Sequence, residues 1–312
     1  MPHMETERLE CIDIAKGYLI LLVVLGHLLP ETLMKTWIYS FHIPAFFVLS
    51  GITSNHSHSF QLKPSFFIKQ KVSSIMLPLF VFEVLGVLGR GCRFGFMHRW
   101  KGFFGDFIKL YFNNTVNWFL FAIFFCELIL YYLKTKSTNS GRSQSKYYII
   151  YATCLLLGTL LPSSHFFAVV SWILLGTGFM GLGSLYEKMI LKYSRKRVVI
   201  VISALMSILN AIYCERISIY DHELGNPVLF LIMGFAGTLL VLGLSEYLTP
   251  TLIREIGKCS LWIMGTHLPL RNIIYALFEN VLPEYCLMVL TLALVIIINL
   301  GFQKIKQDSV QQ

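Results

Sequence analysis

Long apolar blocks recur from one end of the chain to the other, separated by short polar stretches. A hydrocarbon core of about 30 Å takes about 20 helical residues, with roughly 17 to 25 tolerated. On that ruler the blocks predict about ten transmembrane helices, at approximately 12–30, 37–54, 74–90, 116–133, 147–161, 165–185, 198–214, 227–245, 259–278 and 285–302. The fifth is short for a span. No polar stretch is long enough for a separate soluble domain. The expected fold class is therefore all-α, a polytopic membrane helical bundle, with residues 1–312 forming a single membrane domain.

Basic loops orient such a bundle, because Lys and Arg accumulate on the cytoplasmic side. The stretches "KTKSTNSGRSQSK" (Lys134 to Lys146) and "YEKMILKYSRKR" (Tyr186 to Arg197) are both strongly basic and lie two spans apart, so both are expected inside. Counting outward places Lys63, Lys69 and Lys71 inside and "ERISIYDHELGN" (Glu215 to Asn226) outside. Lys304 and Lys306 then also lie inside, which puts both termini in the cytoplasm. One loop runs against the rule: Arg90 to Asn114 is basic and aromatic yet falls outside. It either lies in the interface, faces an anionic substrate, or marks a miscount nearby.

Composition adds weight rather than detail. With 55% hydrophobic and 14% charged residues and a mean hydropathy of +0.65, the chain exceeds the apolar share of about half found in soluble domains. The first block follows Arg8 but lacks a small-x-small cleavage site, so it is expected to remain as a span rather than leave as a signal peptide. A net charge of +9 would suit nucleic acid in a soluble protein. In a membrane chain it marks cytoplasmic loops and contacts with membrane lipids instead, so no nucleic-acid partner is expected. The seven cysteines are scattered without a CxxC pair, which predicts small hydrophobes rather than a metal site or a disulfide framework. No Walker loop, HExxH or GxSxG is present, so any chemistry is expected between helices.

The polar groups that interrupt the apolar blocks are the candidates for that chemistry, since the bilayer penalises them. In "IDIAKGYLILLVVLGHLLP", Lys16 and His27 are eleven positions apart, or about three helical turns and about 16 Å of rise with about 20° of drift. They share one helix face, charged at the cytoplasmic end and carrying an imidazole in the outer half. The second block runs back from outside and brings His42 of "SFHIPAFFVLSG" to a similar depth, where the two histidines can meet. A neutral imidazole exchanges a proton near pH 7 at little cost, which is what a general base for a hydroxyl nucleophile requires. Snorkelling of Lys16 and helix bridging by either histidine account for the same residues without chemistry. Asp13 precedes Lys16 by three residues and either orients it or simply complements the helix N-terminus.

Elsewhere, Glu83 and Glu127 are carboxylates inside predicted spans, which must be protonated or paired. His267 and Arg271 are four apart on one face, flanking Pro269; they either bind an anionic or sugar ligand or pair with Glu83 or Glu127. Asn117 and Trp118 open the fourth span, as an interfacial anchor or as a stacking site for a sugar.

"DIAKGYLILLVVLGH" followed by "FHIPAFFVLSG" resembles the start of the acyltransferase 3 family of integral membrane proteins, which modify cell-surface glycans. "FIKQKVSSIMLPLFVF", "NWFL" and "IGKCSLWIMGTHLPL" extend the resemblance, and "GNPVLFLIMGFAGTLLVL" is similar to the fucose acetylase-like or exopolysaccharide acetyltransferase branch. Between about 134 and 207 the match is by hydropathy alone. Lys16 stands where the family has arginine, keeping the charge but losing the bidentate fork, and His27 stands at the family's histidine.

The resemblance implies an enzyme of the bacterial cytoplasmic membrane. It would pass an acyl group, usually acetyl, from acetyl-CoA inside to a sugar hydroxyl of a cell-surface or lipid-linked glycan. On that reading His27 and His42 are catalytic, while Asp13, Lys16, Lys69 and Lys71 hold the acyl-CoA, which is a co-substrate and not a resident cofactor. Glu83, Asn117, Trp118, His267 and Arg271 meet the acceptor. Two other readings fit the same polar groups: a transporter or flippase of a lipid-linked glycan, and a non-catalytic membrane partner of glycan assembly.

Overall fold

The computed structural model describes residues 2–94, 118–139, 147–162, 165–214 and 217–311, and they are overwhelmingly helical. In chain order the helices are α1 (Pro2–Leu28), α2 (Leu33–Tyr39) and α3 (His42–Asn55). Next come α4 (Pro64–Phe94), then α5 (Trp118–Asn139), α6 (Tyr148–Leu160) and α7 (His165–Leu185). The remainder are α8 (Glu187–Ser194), α9 (Arg197–Tyr213), α10 (Pro227–Tyr247), α11 (Thr251–Lys258), α12 (Ser260–Phe278) and α13 (Glu284–Gln311).

Every predicted span overlaps one of these helices. Six are long and apolar enough to cross a membrane, or seven if the bent pair α8 and α9 counts as one span. Several expected spans are shorter than their hydropathy suggested, and local chemistry explains the best case. Residues 37–54 are not one helix: α2 ends at Tyr39 and α3 starts at His42. Pro44 lacks the N–H that a continuous helix would bond to the carbonyl of Ser40, but is well accommodated in a first turn, so the helix restarts there. The 14 residues of α3 reach only about 21 Å at 1.5 Å each. The basic stretch Tyr186 to Arg197, expected as a loop, instead contains the short helix α8, bent by 91° against α9. The basic segment from Arg90 begins as the end of α4, and its remainder lies outside the described residues.

Apolar surface faces outward as well as inward. Val198, Val201, Leu205, Leu209 and Ile212 on α9 are exposed, and the apolar window of α13 is only 22% buried. In water such a surface would aggregate; in lipid it is the required exterior.

Helix contacts inside are close because small residues let backbones approach. α3 packs on α7, with Gly51 against the backbone of Met180 and Gly183 against that of Val48. α1 packs on α11, where Gly17 meets the Ile253 carbonyl and Gly257 meets the Asp13 carbonyl. A Cβ at Gly257 would collide with backbone that cannot rotate away. Gly257→Val is therefore expected to destabilise the protein by about 1–3 kcal/mol. Gly301→Val, at a position with open space around it, should leave stability unchanged. Unfolding of both variants in detergent, with equal midpoints as the contrary outcome, checks this.

Candidate active site

A cavity of about 370 Å³ opens where α1, α2, α3, α12 and the loop after α9 converge. Its lining includes His27, Lys35, Tyr39, His42, Trp118, Tyr220, Asp221 and Arg271. Four of the residues singled out in the sequence, His27, His42, Trp118 and Arg271, thus meet in one place, and the break between α2 and α3 is what delivers His42 together with Tyr39. It sets Tyr39 and His42 on either side of a turn whose Ser40 and Phe41 are buried.

The histidines do not meet directly. Tyr39 lies between them, with ring centroids 6.2 Å from His27 and 4.9 Å from His42. The imidazole packed on His27 belongs to His267, at 5.1 Å. Backbone carbonyls fix two tautomers. His42 Nδ1 lies 2.8 Å from the Ile38 carbonyl, and His267 Nδ1 lies 2.8 Å from that of Met264. A carbonyl only accepts, so in each neutral ring Nδ1 carries the proton and Nε2 keeps the lone pair. His267 Nε2 is buried without a hydrogen-bond partner among the described residues. His27 is left as the ring in the cavity wall that no backbone bond ties to one tautomer among the described residues.

The loop from Ile217 to Asp221 closes the cavity, and sequence reasoning passed it over. Trp172 Nε1 donates to the Ile219 carbonyl at 2.9 Å, and the Trp172 ring stacks on Tyr220 at 5.6 Å and 16°. Trp118 joins them at 5.1 Å from Trp172. Ser218 Oγ donates to Asp221 Oδ2 at 2.6 Å, and a bridge between Ser218 and Glu223 closes the turn. This builds an aromatic wall with one carboxylate, which suits the apolar face and hydroxyl rim of a sugar ring. The only sequence signal was the clustering of Ile, Tyr and Asp in an otherwise polar loop.

About three turns back along α1, at its middle, Lys16 Nζ donates to Thr53 Oγ1 at 3.0 Å. It forms no ion pair among the described residues, and the carboxylates of Asp13 and Glu127 are the charges acting on it. No hydrogen bond or ion pair joins Asp13 to Lys16 among the described residues, although Lys16 is the charge acting most on Asp13, ahead of Lys258, Glu255 and Arg254 of α11. Lys71 is committed to Glu127 at 3.4 Å, so Glu127 does not pair with Arg271. Lys69 is exposed. Glu83 is buried on α4 and is not part of the cavity lining. Asn117 lies outside the described residues.

The residues form no grouping suited to a metal ion among those described. The arrangement offers a base, acceptor imidazoles and an aromatic wall at one end of α1, and a lysine about three turns away along the same helix. The family model that matches the chain is that of an acyltransferase domain, Acyl_transf_3, over residues 9–300. No curated protein matches, and no solved structure matches.

Proposed function

Because the chain belongs to this acyltransferase family, we propose that it transfers an acyl group, acetyl in the simplest case, from acyl-CoA at the cytoplasmic face to a sugar hydroxyl of a cell-surface or lipid-linked glycan on the other side. The protein would sit in the bacterial cytoplasmic membrane with ten helical segments threading it, short ones included, and both termini inside.

The observation that carries this reading is the placement of His27. It lines the cavity on the same helix face as Lys16, about 16 Å away at eleven residues of rise. Lys16, with no carboxylate in an ion pair, binds the phosphates of the donor from inside. The pantetheine arm runs along α1 and brings the thioester to the cavity. The sugar rests on Tyr220 and Trp118, and its hydroxyl gives its proton to His27 as the oxygen attacks the thioester carbonyl. The carbon–sulfur bond breaks and the CoA thiolate leaves, to be protonated by the imidazolium or by water. Tyr39 and His267 hold the His27 ring in place through the contacts described above.

The test is transfer of radiolabel from acetyl-CoA to a glycan extract by the purified protein in vesicles. No labelled glycan from the wild type sinks the reading in favour of transport or a partner role. Within an active preparation, Lys16→Met is expected to raise KM for acetyl-CoA by about 10- to 100-fold, the worth of one charge-assisted bond of about 1.5–3 kcal/mol. Lys16→Arg should retain most of the affinity. An unchanged KM in Lys16→Met removes that lysine from donor binding.

A further inference from the structure

Arg271 has no partner equal to its chemistry. Its guanidinium lines the cavity, yet among the described residues it forms neither a hydrogen bond nor an ion pair. Its Nε is buried and unbonded, and its guanidinium lies over the face of Tyr275, at 5.2 Å. Arginine keeps its charge in proteins and carries five donors, so leaving it unmet at this depth is costly. The carboxylate in the cavity lining does not answer it: Asp221 accepts from Ser218 and makes no ion pair with Arg271 among the described residues.

Two further cations lie close by. Arg93, from α4, lies over the same Tyr275 ring at 4.7 Å and is paired outward with Glu279. Lys35 lines the cavity beside Tyr39, its side chain 13% exposed, whereas its partner Glu31 is 67% exposed. The charges acting most on His27 after its histidine neighbours are those of Arg271 and Lys35.

From this we infer that the acceptor is anionic: a phosphate or carboxylate of the glycan seats on Arg271, with Lys35 across the cavity, and so holds the reacting hydroxyl beside His27. The inference rests on the proposed acyl transfer for its meaning, but binding alone tests it. A guanidinium grips a phosphate or carboxylate through two parallel bonds, which fixes orientation as well as affinity. Arg271 is thus a specificity residue for the acceptor.

Three probes separate the sources of the anion: a polyprenyl-phosphate-linked sugar, a glucuronate-containing oligosaccharide and a neutral oligosaccharide of the same length. Binding is read from quenching of intrinsic tryptophan fluorescence, since Trp118 and Trp172 adjoin the cavity. The full-length protein should bind at least one anionic probe and not the neutral one. Arg271→Gln should weaken that binding by about 10- to 100-fold, and Arg271→Lys, which keeps the charge without the fork, by about 10-fold. Should Arg271→Gln not fold, the lysine variant carries the comparison.

Equal binding of neutral and anionic probes, no binding of any probe, or unchanged binding in both variants overturns the inference. So does a loss confined to kcat with acceptor binding intact, which would assign the arginine to the reacting carbonyl. Anionic binding without transfer of label from acetyl-CoA leaves the inference standing and removes the acyl-transfer reading instead.

Discussion

Replacing His27 with glutamine is expected to lower kcat for acyl transfer by roughly 100- to 10,000-fold, the usual contribution of a positioned general base. Glutamine keeps a polar group of similar reach in the cavity wall, so contacts with Tyr39 and His267 can be replaced in part. KM for acetyl-CoA should stay near its wild-type value, because the donor's phosphates bind at the Lys16 end. The measurement is labelled transfer at equal amounts of monodisperse protein. Transfer at the wild-type rate would take His27 out of the reaction. A covalent acyl-histidine predicts, in addition, a burst of label on the wild-type protein without acceptor that His27→Gln lacks.

The second large effect concerns stability. Glu127→Leu leaves Lys71 without its carboxylate, where the two side chains are 14% and 10% exposed. Lys134 and Lys16 also lose the same counter-charge. Breaking a buried pair from one side costs about 3–5 kcal/mol, whereas replacing both partners by apolar residues is often neutral. Glu127→Leu should therefore unfold far more readily in detergent, and Lys71→Met with Glu127→Leu should recover most of the loss. A double variant as unstable as the single one would show that the carboxylate serves something other than Lys71.

The comparison of sequence and structure turns on range. Charges inside an apolar block are conspicuous to hydropathy, so Lys16, His27 and His42 were legible, and helical spacing gave the first two a common face. Pro44 was equally visible, and it dictates the break that makes α2 and α3 separate helices; hydropathy averaged it away. The pairing of Lys71 with Glu127 joins α4 to α5, and the seating of Ile219 and Tyr220 on Trp172 joins a loop to α7. Contacts of that reach leave no local trace, so Trp172, Tyr220 and Asp221 were not anticipated, although Trp118 was named as a stacking site. Asp13 is a mixed case: Lys16, three positions away, is the charge acting most on it, and α11 adds Lys258, Glu255 and Arg254 from about 240 positions away.

The shortness of α3 also bears on how the protein is made. Its buried glycine face meets α7 at Met180, a residue that leaves the ribosome about 130 positions after Gly51, or about 6 to 26 s at 5–20 residues per second. During that interval a segment too short to cross the bilayer unaided has its partner surface still unsynthesised. Insertion of this half-span is therefore expected to wait on a later helix, and a chain truncated before α7 should be cleared by membrane proteases rather than accumulate.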